Sequence, residues 1–189
     1  MADPRSRQPS AAGWRVRSVA AFVVLVMLCA GLLAMTAALT REQIEHNRNR
    51  QFLDLVETLT GVPPGDTISW QGDVAPLCDG PGGAPRRLLL RGRAAGYGGS
   101  IYWLAAADMS ARNPTLTGVR ITAHQETPGI ADFLDRPERG WLATLPGRDA
   151  AGIAAVDAVS GATITSRALR DTIAQRLGDP ALTAVECGP

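Results

Sequence analysis

The chain has 189 residues, 46% of them hydrophobic and 20% charged, and its 19 basic against 18 acidic side chains leave a net charge of +1. This balance excludes a disordered charged tail and provides no basic field for nucleic acid. Three Cys with no C-x-x-C spacing, and only two His, argue against both a disulfide framework and a zinc centre.

The first element is an anchor. Val19 to Leu39 carries no charged side chain and, at about 1.5 Å per residue, extends about 31 Å, the thickness of a hydrocarbon core. A cleaved signal peptide is the competing reading. Its apolar region is usually only about 7 to 15 residues long, and Thr36-Ala37-Ala38 is a mediocre cleavage site, so a retained transmembrane helix is favoured. Arg5, Arg7, Arg15 and Arg17 precede the span with only Asp3 against them. Residues 1–18 therefore read as a cytoplasmic tail, 19–39 as a single span and 40–189 as a domain on the far side of the membrane. The span has no Asp, Glu, Lys, Arg or His, so it tethers and relays neither ions nor protons. In an oxidising compartment Cys78 and Cys187 either pair or stand as separate thiols, and the sequence leaves both open.

Past the span, Phe52, Leu55, Val56 and Leu59 fall at i, i+3, i+4 and i+7. This helical stripe runs on from Arg41 and stops at Gly61, with Pro63 and Pro64 behind it. Residues 61–85, rich in Gly, Pro and Asp, read as loop, with a surface turn at Gly80 to Pro85. Three strand-like segments follow. Arg86 to Arg93 centres on Leu88, Leu89 and Leu90, and Ser100 to Ala106 follows a Gly96-Tyr97-Gly98-Gly99 turn. In the third, Val119, Ile121 and Ala123 alternate with Arg120, Thr122 and His124, which places His124 toward solvent. Leu169, Ile173 and Leu177 then recur every four residues, with Ala168 and Ala174 beside them. They predict a helix of about three turns that begins near Thr163 to Ser166 and ends at Gly178 and Pro180. The expected fold class is α+β, a small antiparallel sheet with packed helices behind one N-terminal transmembrane helix.

Before the last helix stands Asp157-Ala158-Val159-Ser160-Gly161-Ala162-Thr163-Ile164-Thr165-Ser166. Small residues at Gly161 and Ala162 let another group approach the backbone. Hydroxyls at Ser160, Thr163, Thr165 and Ser166 surround a helix start whose N–H groups favour an anion such as phosphate. A plain Ser/Thr helix cap is the alternative, and a phosphate-binding turn without covalent chemistry lies between the two. Asp157 is either a recognition feature or a turn residue capping the local backbone. Arg167 and Arg170, in the next turn and a half, either pair with a bound phosphate or are simply solvated.

The string D-x-x-S-G-A-T resembles the attachment signature of the FMN-binding domain family. In that family a threonine carries FMN through a phosphoester bond installed by a separate FAD-dependent flavin transferase, and Thr163 is the matching threonine. Gly96-Tyr97-Gly98-Gly99, Leu116-Thr117-Gly118-Val119 and His124-Gln125-Glu126-Thr127-Pro128-Gly129 resemble, in the same order, other blocks of the G subunits of Rnf (Rsx) electron-transport complexes. The single N-terminal span is similar too, and the likeness runs from about Arg41 to Leu177. It implies a flavoprotein of the bacterial inner membrane with its C-terminal domain in the periplasm. Such a chain carries electrons as one subunit of an ion-translocating oxidoreductase working between NADH and ferredoxin-like carriers. The other subunits and the flavin transferase are its implied partners, and it has no complete activity alone. By the same resemblance the cofactor site comprises Thr163 as the covalent residue with Ser160, Gly161, Ala162 and Thr165, and Glu126, Thr127 and Gly129 stand beside the isoalloxazine ring. Tyr97 and Trp103 are either ring-stacking or core aromatics.

The chain departs from the family in two places. Family members commonly read E-T-P-G-L-G, whereas Ile130-Ala131 fills the last two positions here, and a methyl at Ala131 alters the turn if φ there is positive. A nearby family lysine is absent, as is every lysine. A threonine hydroxyl is a weak nucleophile, which makes an external transferase the natural partner. The chain has no nicotinamide glycine fingerprint and no Cys cluster for iron–sulfur centres, so those centres are expected in other subunits. The C subunit of sodium-translocating NADH:quinone reductases shares the attachment motif and is the nearest alternative. From other classes come a non-redox exported binding or assembly module, whose motif is only a helix cap, and a free-standing flavin reductase.

Overall fold

A computed structural model describes residues 11–61, 63, 68–78 and 84–187. They divide into two compact units between Gln51 and Phe52. The N-terminal tail 1–10 and most of the expected Gly80 to Pro85 turn lie outside the described residues.

α1 (Ala11–Thr60) is one unbroken helix that takes in both the apolar span and the later stripe. Residues 40–51 contain no Pro or Gly, so nothing between the two pieces stops the helix. Within the span the Thr36 hydroxyl donates to the Leu32 carbonyl at 3.0 Å, and just past it that of Thr40 donates to the Thr36 carbonyl at 2.8 Å. Even its polar groups are thus satisfied inside the helix. The large apolar side chains of residues 19–39 are exposed, and the helix is long and apolar enough to cross a membrane. Gly61 ends it at φ +67°, a left-handed conformation that costs glycine no Cβ clash.

The second unit has the expected α+β fold. β1 (Val74–Leu77), β2 (Arg87–Ala95), β3 (Ser100–Asp108) and β4 (Thr115–Ala123) form one antiparallel sheet in sequence order. Leu88, Leu89 and Leu90 form an apolar run because β2 is covered on both faces. On one face Leu89, Leu104 and Ala106 pack with Val56 and Leu59 from the last turns of α1. A short α2 (Ala150–Ala154) and then α3 (Thr163–Leu177) follow the sheet in the chain. On the other face Leu88, Leu90, Trp103 and Ala105 share a core with Leu169, Ile173 and Leu177 of α3. Burying one such leucine contributes about 1.5–3 kcal/mol, so the stripe holds α3 firmly against the sheet.

β1 corrects the loop reading of residues 61–85. It is four residues long and contains Pro76, a weak local pattern, yet Val74 pairs with Leu90 and Leu77 with Arg87 at the sheet edge. Cys78, just past β1, is disulfide-bonded to Cys187, which follows a 3-10 helix at Pro180–Ala184. The bridge joins residues 109 apart in the chain and settles the pairing that the sequence left open.

Candidate functional site

The site is built around the start of α3. Its N-cap, Ala162, offers no side chain to cap the helix. The first turn's earliest backbone bond runs from the Ser166 N–H to the Ala162 carbonyl at 3.0 Å. The N–H groups of Thr163, Ile164 and Thr165 therefore find no acceptor among the described residues, and the plain Ser/Thr cap is not what forms. Thr163 is exposed at this positive end, and its hydroxyl makes only a long contact of 3.4 Å to the Val159 carbonyl. Ser160 and Gly161 are exposed beside it and Ala162 is buried. Gly161 takes φ +82° with open space where a Cβ would stand. Ser166 fastens this loop: its oxygen accepts from the Val159 N–H and donates to the Ala162 carbonyl, each at 2.9 Å.

Asp157 caps nothing. Its carbonyl accepts from the Trp141 indole N–H at 2.6 Å, while no N–H donates to its exposed carboxyl among the described residues. Arg170 is engaged with the Val156 carbonyl at 3.0 Å and the Asp171 carboxyl at 2.8 Å, whereas Arg167 is exposed.

Two more loops meet the helix start. Residues 96–99 turn tightly between β2 and β3, with the Gly96 N–H donating to the Gly99 carbonyl at 2.8 Å. A Cβ on Gly98 would stand 2.6 Å from the Gln125 carbonyl, so the close approach of the two loops demands glycine. Glu126, on the segment after β4, is buried; it accepts from the Gly98 N–H and from the Thr165 hydroxyl, each at 2.9 Å. Thr165 is itself buried, unlike its neighbours Thr163 and Ile164.

His124 does not face solvent. It lies just beyond β4, half-buried, with Nδ1 accepting from the Glu126 N–H at 3.2 Å and Nε2 3.1 Å from Asp135. Thr127 is exposed and its carbonyl accepts from the N–H groups of Ile130 and Ala131. Gly129 takes φ +88° and donates to the Asp132 carboxyl at 2.7 Å. No non-glycine residue has positive φ among those described, so Ala131 fits without strain and buries its methyl in the core.

Of the four large apolar side chains that the second unit exposes among its described residues, three lie on these loops and the helix start: Tyr97, Ile130 and Ile164. Trp103 is instead buried in the core. The sequence reading missed Ile164, although a signal was present. Stepping the Leu169 stripe back by three or four residues reaches Ser166 and Thr165, which leaves Ile164 off the buried face. The arrangement suits a group with an anionic end for the N–H groups and a flat apolar end for Tyr97, Ile130 and Ile164.

Residues 96–178 match the FMN-binding domain family. The chain is 29% identical over 171 residues to the G subunit of the ion-translocating oxidoreductase complex of Vibrio cholerae serotype O1 (strain ATCC 39541), an alignment covering 77% of this chain and 80% of that protein. The G subunit of the same complex from Cronobacter sakazakii is 28% identical over 200 residues, 87% of this chain and 92% of its own. That from Escherichia coli K12 is 33% identical over 89 residues, 41% and 42% of the two chains. The chain is thus similar over residues 96–178 to the FMN-binding domain family and along most of its length to the G subunits of ion-translocating oxidoreductase complexes.

Proposed function

We propose that this chain is the membrane-anchored electron-carrier subunit of an Rnf-type complex, with FMN esterified through its phosphate to Thr163. The reading rests above all on the exposed Thr163 hydroxyl at an uncapped helix start, beside N–H groups that have no acceptor among the described residues. Those N–H groups would hold the phosphate oxygens, and Ser160, Gly161 and Ala162 keep the approach clear. Thr127 and Gly129 belong to the turn that carries Ile130, and Glu126, just before that turn, is hydrogen-bonded to Thr165 in the first turn of α3. When bound, FMN supplies one- and two-electron transfer, and the protein supplies its placement and electrostatics.

The Thr163 hydroxyl has no carboxylate or imidazole partner among the described residues, which favours activation by an external flavin transferase over self-attachment. A covalent tether keeps a cofactor in a compartment that does not make it. Residues 19–39 would cross the inner membrane, with 1–18 cytoplasmic and 40–189 periplasmic. The Cys78–Cys187 disulfide supports an oxidising surrounding for the domain. Transfer between NADH and ferredoxin-like carriers, coupled to ion movement, is assigned to the assembled complex, in keeping with the multi-subunit name of the relatives.

Intact mass with peptide mapping of the full chain, produced alongside the flavin transferase, tests the reading. An adduct of about 438 Da, FMN less one water, is expected on the Thr163 peptide and lost in Thr163→Ala. A colourless, unmodified wild type, with a known acceptor protein flavinylated in the same host, would favour the non-redox binding module. Co-purification of neighbouring subunits separates an Rnf complex from a sodium-translocating quinone reductase.

A further inference from the structure

The two loops and the helix start are tied together by one buried carboxyl group. Glu126 engages the Gly98 N–H with Oε1 and the Thr165 hydroxyl with Oε2. The Thr165 oxygen accepts in turn from the Tyr97 N–H at 3.2 Å. Tyr97 and Gly98 are neighbours, so the bonds close a ring through Gly98, Glu126, Thr165 and Tyr97. The fit is tight, since a Cβ on Gly96 would overlap the Glu126 carboxyl.

Burying a hydroxyl and a carboxyl is costly unless both are bonded, and Thr165 occupies a place where the Leu169 stripe would accept an apolar residue. The first turn of α3 has no cap, and uncapped helix ends fray. Two side-chain anchors hold it: Ser166 binds the preceding loop, and Thr165 binds the 96–99 loop and the segment after β4. Thr165 is buried while Thr163, two residues earlier, points its side chain into the open. The rotation that seats Thr165 on Glu126 is therefore the same rotation that exposes Thr163.

We infer that Glu126 and Thr165 are a positioning pair that fixes the first turn of α3, so that the Thr163 hydroxyl and the three adjacent N–H groups face an incoming phosphate together. This rests on the reading of Thr163 as the attachment residue. Both carboxyl oxygens of Glu126 are occupied, so it acts through Thr165 and the 96–99 loop.

The test uses the full chain with the flavin transferase and compares Thr165→Val, Thr165→Ser and Glu126→Gln with the wild type. Intact mass follows FMN incorporation over time, and near-UV circular dichroism confirms that each variant is folded. Hydrogen exchange of the Ser166 to Leu169 amides, which bond back to the first turn, is read on unflavinylated protein. Thr165→Val keeps the shape but removes the hydroxyl; it is expected to slow incorporation on the order of tenfold or more and to speed that exchange. Thr165→Ser restores both. Glu126→Gln keeps the bulk and the acceptor for Gly98 but alters the bond to Thr165, and a partial loss is expected.

Wild-type incorporation and exchange in Thr165→Val, or failure of Thr165→Ser to restore them, overturns the inference. Should Thr165→Val not fold, wild-type behaviour of Glu126→Gln overturns it equally. A wild type that acquires no FMN defeats the attachment reading instead, and the exchange comparison still decides whether the pair fixes the turn.

Discussion

α1 and α3 invert the usual rule of burial in opposite directions. α1 leaves Leu28 58% and Leu33 71% exposed, whereas α3 buries Ser166 completely and leaves Thr165 only 2% exposed. Apolar surface on the scale of α1 is rarely left in water, and its uncharged stretch matches a hydrocarbon core in length. Buried hydroxyls are tolerated in α3 because each donates and accepts a hydrogen bond. The helix that looks unprotected suits a solvent other than water. The helix that looks too polar for its packing holds up the candidate attachment site. Departures from the ordinary pattern thus mark both the candidate span and the candidate attachment site.

The contrast can be broken most sharply at two leucines. Leu169→Ala removes a fully buried side chain and is expected to destabilise the second unit by about 2–5 kcal/mol in urea unfolding. Leu28→Ala should leave that unit's stability unchanged, and equal losses would mean that α1 is packed like a core helix. In the opposite sense, Leu28→Arg should cost about 2.5–3.5 kcal/mol of membrane insertion, read as release of the chain from membranes by alkaline extraction. Undiminished retention would rule out this stretch as the span.

On α3, Ser166→Ala leaves the Val159 N–H without its acceptor and should cost about 1–3 kcal/mol, whereas Thr163→Ala should stay within about 0.5 kcal/mol. Thermal unfolding of the two variants measures the difference between a supporting hydroxyl and a presented one. The smallest effect is expected away from the site, at Asp108. Hydrogen bonds from the Ser110 side chain and N–H hold its carboxyl below the ordinary value, with Arg87 and Arg86 adding to them against slight burial. A carboxyl lowered by folding stabilises the native state above its unfolded value, and that contribution is lost as pH falls through the folded value. Stability measured between neutral and acid pH should therefore fall slightly less in Asp108→Asn than in the wild type.

Much of this was legible from local pattern. The uncharged run, the period of Leu169, Ile173 and Leu177, the alternation in β4 and the S-G-A-T string each depend on residues close together in the chain, which is where periodicity carries information. β1 escaped notice because four residues with a proline hold too little pattern, and its identity as a strand depends on β2 beside it. His124 was misplaced because alternation says nothing about the chain once a strand has ended. The fit of Ala131 depends on its backbone φ, which neighbouring residues in the sequence do not fix.

Short-range pattern was enough to mark the uncharged stretch, β2, β3, β4, the course of α3 and Thr163 as the candidate attachment residue, but not β1. Packing of distant segments brings Cys78 to Cys187 across 109 residues and Glu126 to Thr165 across 39. Pairings at that range leave no periodic trace in the chain, because they form only when the sheet and α3 have packed and brought the two segments within bonding distance.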